Sequence, residues 1–219
     1  LDFIAFDCFI LERMNAQNDY EKKLVDKAKH RFEGFSKEKK LTLTKNITAG
    51  LPGASEKLTF QEVKRRLESY SGIDAHKLRE NFKYFLDAVV PTAEKMGVRL
   101  CCHPDDPPWP LLGLPRIMST EEDYNWLVNV HPSKANGITL CTGSLGTSFE
   151  NDLPGMVSRL GKHIHFLHLR NVTREQERIP TSFYEDEHLL GNTDMIETIS
   201  EVIREENRRK TEGREDWSI

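Results

Sequence analysis

Hydrophobic and polar positions divide the chain near residue 96. Before that point the pattern is mostly helical. From Asn18 to about Phe35 a charged segment carries Tyr20, Leu24, Ala28 and Phe32 on one stripe, the spacing of an amphipathic helix. Leu41 to Ile47 alternates apolar and polar residues and predicts a short strand, after which Gly50-Leu51-Pro52-Gly53 breaks the chain. Thr59-Phe60-Gln61-Glu62 is a capping box that opens a helix to about Tyr70, closed by Ser71-Gly72. A longer helix starts near Asp74. Leu78, Phe82, Phe85, Leu86, Val89, Ala93 and Met96 recur at steps of three and four and make one wide apolar stripe. Pro91 predicts a kink near its end, and Gly97 is placed to stop it.

Beyond residue 97 short apolar runs alternate with helical patterns. Val98–His103, Gly137–Cys141 and His163–His168 read as strands. Each is followed by a loop and a helix, predicted over Ser119–Val130 (capping box Ser119 with Glu122), Phe149–Leu160 and Thr193–Arg208. A fourth strand is expected to begin at Trp217. Repeated βα units imply a parallel sheet. Strand starts lie 39 residues apart (98 to 137) and then 26 (137 to 163), which suits a (β/α)8 barrel. A full ring needs about 250 residues, so the expected fold is α/β, a partial TIM (β/α)8 barrel. On this reading residues 1–96 form a mostly helical segment, and 97–219 three βα units. A doubly wound open sheet is the alternative, weakened because no Gly-rich phosphate fingerprint follows any strand.

The strand ends carry the chemistry. His103, Cys141 and His168 each close a strand, where side chains of parallel α/β folds converge on one crevice. Two imidazoles and a thiolate suit a divalent transition metal. A single histidine at a strand end is more often a hydrogen-bonded structural residue, and a lone cysteine a small buried hydrophobe; the coincidence over three successive strands favours metal binding. Cys101 and Cys102 read as core or supporting residues. His163 and His165 are expected to share a face with Leu167, and His30, His76, His131 and His188 to be solvated. Arg170 and Asn171, just past His168, suit a carboxylate or hydroxyls and are the expected substrate-binding pair. Asp105 and Asp106 are weighed as acid or base, but no convincing catalytic pair emerges.

Composition narrows the classes. With 31 Lys+Arg against 35 Asp+Glu the net charge is −4, which argues against a general nucleic-acid or membrane-surface binder. No apolar run approaches the ~18 residues needed to span a bilayer. Four cysteines make no disulfide framework in a chain of 219 residues, so a reducing, cytoplasmic setting is expected. Leu1 and Trp217-Ser218-Ile219 read as cuts through ordered structure, and the chain is expected to be part of a longer protein.

Four segments bear a resemblance. Cys102-His103-Pro104-Asp105-Asp106-Pro107-Pro108-Trp109, continuing through Gly113-Leu114-Pro115-Arg116-Ile117, resembles the signature loop of the mannonate dehydratase family. Cys141-Thr142-Gly143-Ser144-Leu145-Gly146 and His165-Phe166-Leu167-His168-Leu169-Arg170-Asn171 are similar to that family in the same order, as is Asn46–Gly53 upstream. The resemblance implies a TIM-barrel lyase that dehydrates D-mannonate to 2-keto-3-deoxy-D-gluconate in hexuronate breakdown, with Mn2+ or Fe2+ held by His103, Cys141 and His168, and with a helical insertion within residues 1–96 that caps the barrel. It also implies a first barrel portion and an Arg-Pro-Asp-His-Gly motif, neither of which this sequence contains. Two other readings stay open: another metal-dependent sugar or sugar-acid isomerase of the barrel type, and a non-catalytic metal-binding fragment. The oligomeric state is open too, a homo-oligomer included.

Overall fold

The computed structural model describes residues 1–48 and 58–219. The expected break at Gly50-Leu51-Pro52-Gly53 lies outside them. The chain forms two compact units, Leu1–Ile73 with Leu111–Leu114, and Asp74–Pro110 with Pro115–Ile219. The division falls at 73/74 rather than at the expected 96/97. Its cause is the long helix before Gly97, whose Leu86, Val90 and Ala93 enter the same core as the sheet.

In the first unit the elements are helices α1 (Asp2–Phe9), α2 (Lys22–Glu33), α3 (Lys37–Thr48) and α4 (Phe60–Glu68), with a 3-10 turn over Ala16–Asp19. Ile4, Ala5 and Cys8 of α1 pack against Val25 and Ala28 of α2, with Leu24 and Phe32 alongside. Asp7 is buried beneath them and accepts from Arg13 through both oxygens (2.9 and 2.8 Å) and from the Tyr20 hydroxyl (2.7 Å). That satisfies a carboxylate that would otherwise be costly to bury. The strand expected over Leu41–Ile47 is instead α3. Its half-buried residues are Lys40, Leu43, Thr44, Ile47 and Thr48, a helical face, while Leu41 points to solvent. Thr44 and Thr48 also donate to the carbonyls four residues back. The capping box at Thr59 is present as expected.

The second unit holds a parallel sheet of β1 (Leu100–Cys102), β2 (Asn136–Cys141) and β3 (Ile164–His168), in that order. Around it stand α5 (Ala75–Met96), α6 (Glu121–Val130), α7 (Thr142–Gly146), α8 (Leu153–Leu160) and α9 (Met195–Thr211). The helices α5, α6, α8 and α9 bury Leu86 and Val90, Tyr124 and Leu127, Met156 and Leu160, and Val202 against Ile138, Leu140 and Ile164 of the strands. Asp74 caps α5, which runs through Pro91 to Gly97, a residue in the left-handed region at φ 66° as a C-terminal stop requires. The box opening α6 is Thr120 with Asp123, one residue later than expected; Ser119 and Glu122 repeat the same residue types one position earlier, so the pattern alone could not separate them.

Two further differences bear on the site. The polar segment after β3 folds into an antiparallel hairpin, β4 (Asn171–Arg174) and β5 (Phe183–Asp186). The register of β2 on β3 shifts between Ile138 and Thr139, so that Ile164 and Leu167, three residues apart, both pack against the core. His165 therefore does not share Leu167's face; its ring lies over Gly137, where a Cβ would collide with it. His163 sits in the 3-10 turn that precedes β3. Residues 217–219 form no strand. No helix among the described residues is long and apolar enough to cross a membrane.

The start of β3 is anchored by a buried ion cluster. Arg209 of α9 donates to the carbonyls of Gly161 (2.6 Å) and Ile164 (2.8 Å) and to Glu205 (2.8 Å). Burial pushes the Glu205 carboxyl up, but hydrogen bonds from Arg208 and Arg209 outweigh it and hold the group below its usual range. Arg209→Met strips two buried carbonyls and one carboxylate of a partner, and should cost about 3–5 kcal/mol. A urea titration should show a lower midpoint with little change in slope; a midpoint equal to the parent's contradicts this role.

Candidate metal centre

Each expected ligand sits where its strand ends. His103 follows β1, Cys141 is the last residue of β2, and His168 is the last of β3, directly opposite Cys141 in the parallel register. His168 Nδ1 lies 3.4 Å from His103 Nε2 and 3.4 Å from Cys141 Sγ, and the three donor atoms all lie within 4.8 Å of one another. Donors sharing one tetrahedral ion at bonds of about 2.0–2.3 Å stand about 3.3–3.6 Å apart. Two of the three separations already meet that figure. The sequence thus separates these residues by 65 and 27 positions, and the sheet brings them together.

Local bonds prepare the donors. His103 Nδ1 lies 2.8 Å from the Pro104 carbonyl, which can only accept, so Nδ1 carries the hydrogen and Nε2 is left with its lone pair toward the cluster. Cys141 is buried and accepts from the Ser144 backbone N–H (3.4 Å) and lies 3.3 Å from the Ser144 hydroxyl. The segment after Cys141, expected as a loop, is the short helix α7, and this sulfur caps it. Both imidazoles are exposed. The sulfur is buried beneath the two rings' donor atoms, within 4.8 Å of both.

The flanking residues divide into those that face the cluster and those that hold the chain. Asp105 accepts from the backbone N–H groups of Ile117 and Met118 (2.9 Å each) and from Arg116 (3.3 Å), closing the Pro-rich loop. Trp109 is buried in that loop and meets Phe183 edge-on, 6.0 Å between centroids. Asp106 accepts from Arg170 Nη1 (2.8 Å), and its Oδ2 lies 3.1 Å from Ser144 Oγ. Arg170 also reaches Glu185 of the hairpin (3.2 Å), its stem lies against Gly143, where a Cβ would not fit, and its buried Nε has no partner. Asn171 is a correction. Expected to touch substrate, it is buried, donates to the carbonyls of His188 and Thr193, and accepts from the N–H groups of Val172 and Thr193. Its amide is fully engaged in joining β4 to the approach to α9. Ser144 and Glu185 were missed; Ser144 lies in the Gly-rich segment already noted, while nothing in the sequence ties Glu185 to Arg170.

Among the other histidines, His30, His76 and His188 are exposed, His188 lying 3.0 Å from the Leu169 carbonyl, whereas His131 is partly buried and paired with Asp87 (3.0 Å). Burial lowers the pKa of both His163 and His165.

The fold and the cluster define a class: a parallel α/β protein whose strand ends present a donor set able to hold a metal ion. The family model for D-mannonate dehydratase (UxuA) matches residues 11–218. The chain is 48% identical over 219 residues to a mannonate dehydratase of Rhizobium meliloti (strain 1021) and 50% identical over 218 residues to mannonate dehydratase 1 of Agrobacterium fabrum, covering 100% of this chain and 54% of each relative. A crystal structure of mannonate dehydratase from Streptococcus suis serotype2 superposes with a TM-score of 0.56 at 38% identity, over 60% of this chain and 38% of that one. The chain belongs to the D-mannonate dehydratase family, and it spans about half the length of the curated relatives it matches.

All four cysteines are unpaired. Burial pushes the thiols of Cys102 and Cys8 up to about 12 and about 11, while Cys101, expected in the core or in a supporting place, is exposed. Iodoacetamide at pH 8 should therefore label Cys101 first and spare Cys102 and Cys8, read by peptide mass spectrometry. Labelling of Cys102 at the rate of Cys101 contradicts the assigned burial.

Proposed function

We propose that this chain carries the metal site of a mannonate dehydratase, a hydro-lyase that converts D-mannonate to 2-keto-3-deoxy-D-gluconate in hexuronate breakdown. The observation that carries the reading is the convergence of His103, Cys141 and His168 at three strand ends. Family membership and the names of relatives at 48% and 50% identity support it. The three βα units are, on this reading, a sector of a (β/α)8 barrel, and the strand-end placement of the donors matches the active face of such barrels. The metal is Mn2+ or Fe2+; a thiolate with two imidazoles leans toward iron, the softer of the two. The unpaired cysteines fit a cytoplasmic setting. The partner is a small sugar acid.

Dehydration of a 2,3-dihydroxy acid removes the proton next to the carboxylate and expels the neighbouring hydroxyl. His103, Cys141 and His168 would hold a divalent ion, with His103 Nε2 presented by the Pro104 carbonyl, and such an ion would supply Lewis-acid charge where negative charge grows on the substrate carboxylate. Arg170, whose terminal guanidinium nitrogens hold Asp106 and Glu185, would orient the carboxylate. Asp105 keeps the Pro-rich loop closed beside the site. Asp105 and Asp106 are committed to partners within the chain, so neither is assigned to proton transfer.

Metal content and D-mannonate turnover measured together decide the matter. Cys141→Ser should lose at least tenfold in bound metal and in turnover, the usual range for disturbing a metal site being about 10–100-fold or more. Undiminished loading and turnover in that variant would overturn the assignment.

A further inference from the structure

The thiol and the arginine are linked by a chain of side chains that metal binding and substrate binding do not by themselves require. Ser144 is fully buried, and its hydroxyl lies 3.1 Å from Asp106 Oδ2 and 3.3 Å from Cys141 Sγ. A hydroxyl has one proton, so it can donate to the carboxylate or to the sulfur but not fully to both. Asp106 Oδ2 is also the oxygen that accepts from Arg170 Nη1. What Arg170 does therefore bears on what Ser144 does. The Pro-rich loop, the turn of α7 and the residue after β3 meet at this one oxygen, across 38 and 64 positions of sequence.

We propose that Asp106 is a positioning residue that couples Arg170 to the Cys141 sulfur through Ser144. With Arg170 on Asp106, that oxygen is already served, and the Ser144 proton is free to turn toward the sulfur. An anion that draws the guanidinium off Asp106 leaves the carboxylate one donor short. The Ser144 hydroxyl then turns to Asp106, and the sulfur loses a hydrogen bond and becomes a stronger electron donor. No bond to hydrogen is broken; one hydroxyl rotates. Outer-layer partners of this kind tune a ligand atom without touching the ion. A loop pin with no such role would need neither the shared oxygen nor the second contact to sulfur. The inference rests on reading the three strand-end residues as a metal site.

Cobalt(II) makes both readable, because a thiolate bound to cobalt gives a near-ultraviolet charge-transfer band whose wavelength follows the electron richness of the sulfur. In the cobalt-loaded protein the band should be present and should vanish in Cys141→Ser, which tests the metal site alone. D-Mannonate should move the parent band to longer wavelength. Ser144→Ala, which removes one oxygen from the core, should place the band at longer wavelength from the start and abolish the mannonate shift. Asp106→Asn, similar in shape, should place it at shorter wavelength and abolish the shift. A band that Cys141→Ser abolishes, with positions and mannonate response unchanged in Ser144→Ala and Asp106→Asn, overturns the coupling and leaves the metal site standing. A parent band that D-mannonate does not move also overturns the coupling. Absence of the band in the parent overturns the metal site and the coupling with it.

Discussion

Cys141 and His168 face each other across two parallel strands, and the site exists only if that register holds. Side chains alternate across a strand, so a slip of one residue would turn His168 to the other face. The shift between Ile138 and Thr139 is thus part of the site. It lets Ile164 stay in the core beside Ile138 at the beginning of the pairing and still brings His168 level with Cys141 at its end. His103 reaches the pair from the short strand β1, whose own register on β2 ends at Cys102 with Ile138.

The rest of the second unit secures that register from both ends. At the start of β3, Arg209 and Glu205 hold the carbonyls of Gly161 and Ile164. Past its end, Asn171 ties the hairpin to the residues entering α9, and the Thr142 hydroxyl accepts from Arg170 N–H (3.0 Å). The Pro-rich loop is closed by Asp105. These are buried or half-buried polar bonds, costly to break because the freed groups would lack partners. Rigid supports around exposed imidazoles are what a site needs if its donors are to be set before the ion arrives.

Much of this was legible in the amino-acid order. A histidine or cysteine closing each apolar run is readable because strand ends and their ligands are local features, and the helices with clear caps, at Thr59 and Asp74, begin where their residues say. Leu41-Thr42-Leu43-Thr44 misled because alternation over a few residues also fits a helix whose buried face is Leu43, Thr44, Ile47 and Thr48. The β4–β5 hairpin escaped because its strands are four residues each and mostly polar. Asn171 escaped for another reason: a carboxamide has the same composition whether it meets a ligand or, as here, four backbone groups. The meeting of Asp106, Ser144 and Arg170 depends on the sheet, and no local pattern announces it.

X-ray absorption at the metal edge of the iron- or cobalt-loaded protein tests the central claim most directly. The account predicts one sulfur at about 2.3 Å and nitrogen or oxygen ligands near 2.0–2.2 Å, with the sulfur lost in Cys141→Ser. A metal shell of oxygen and nitrogen alone in the parent protein would contradict it.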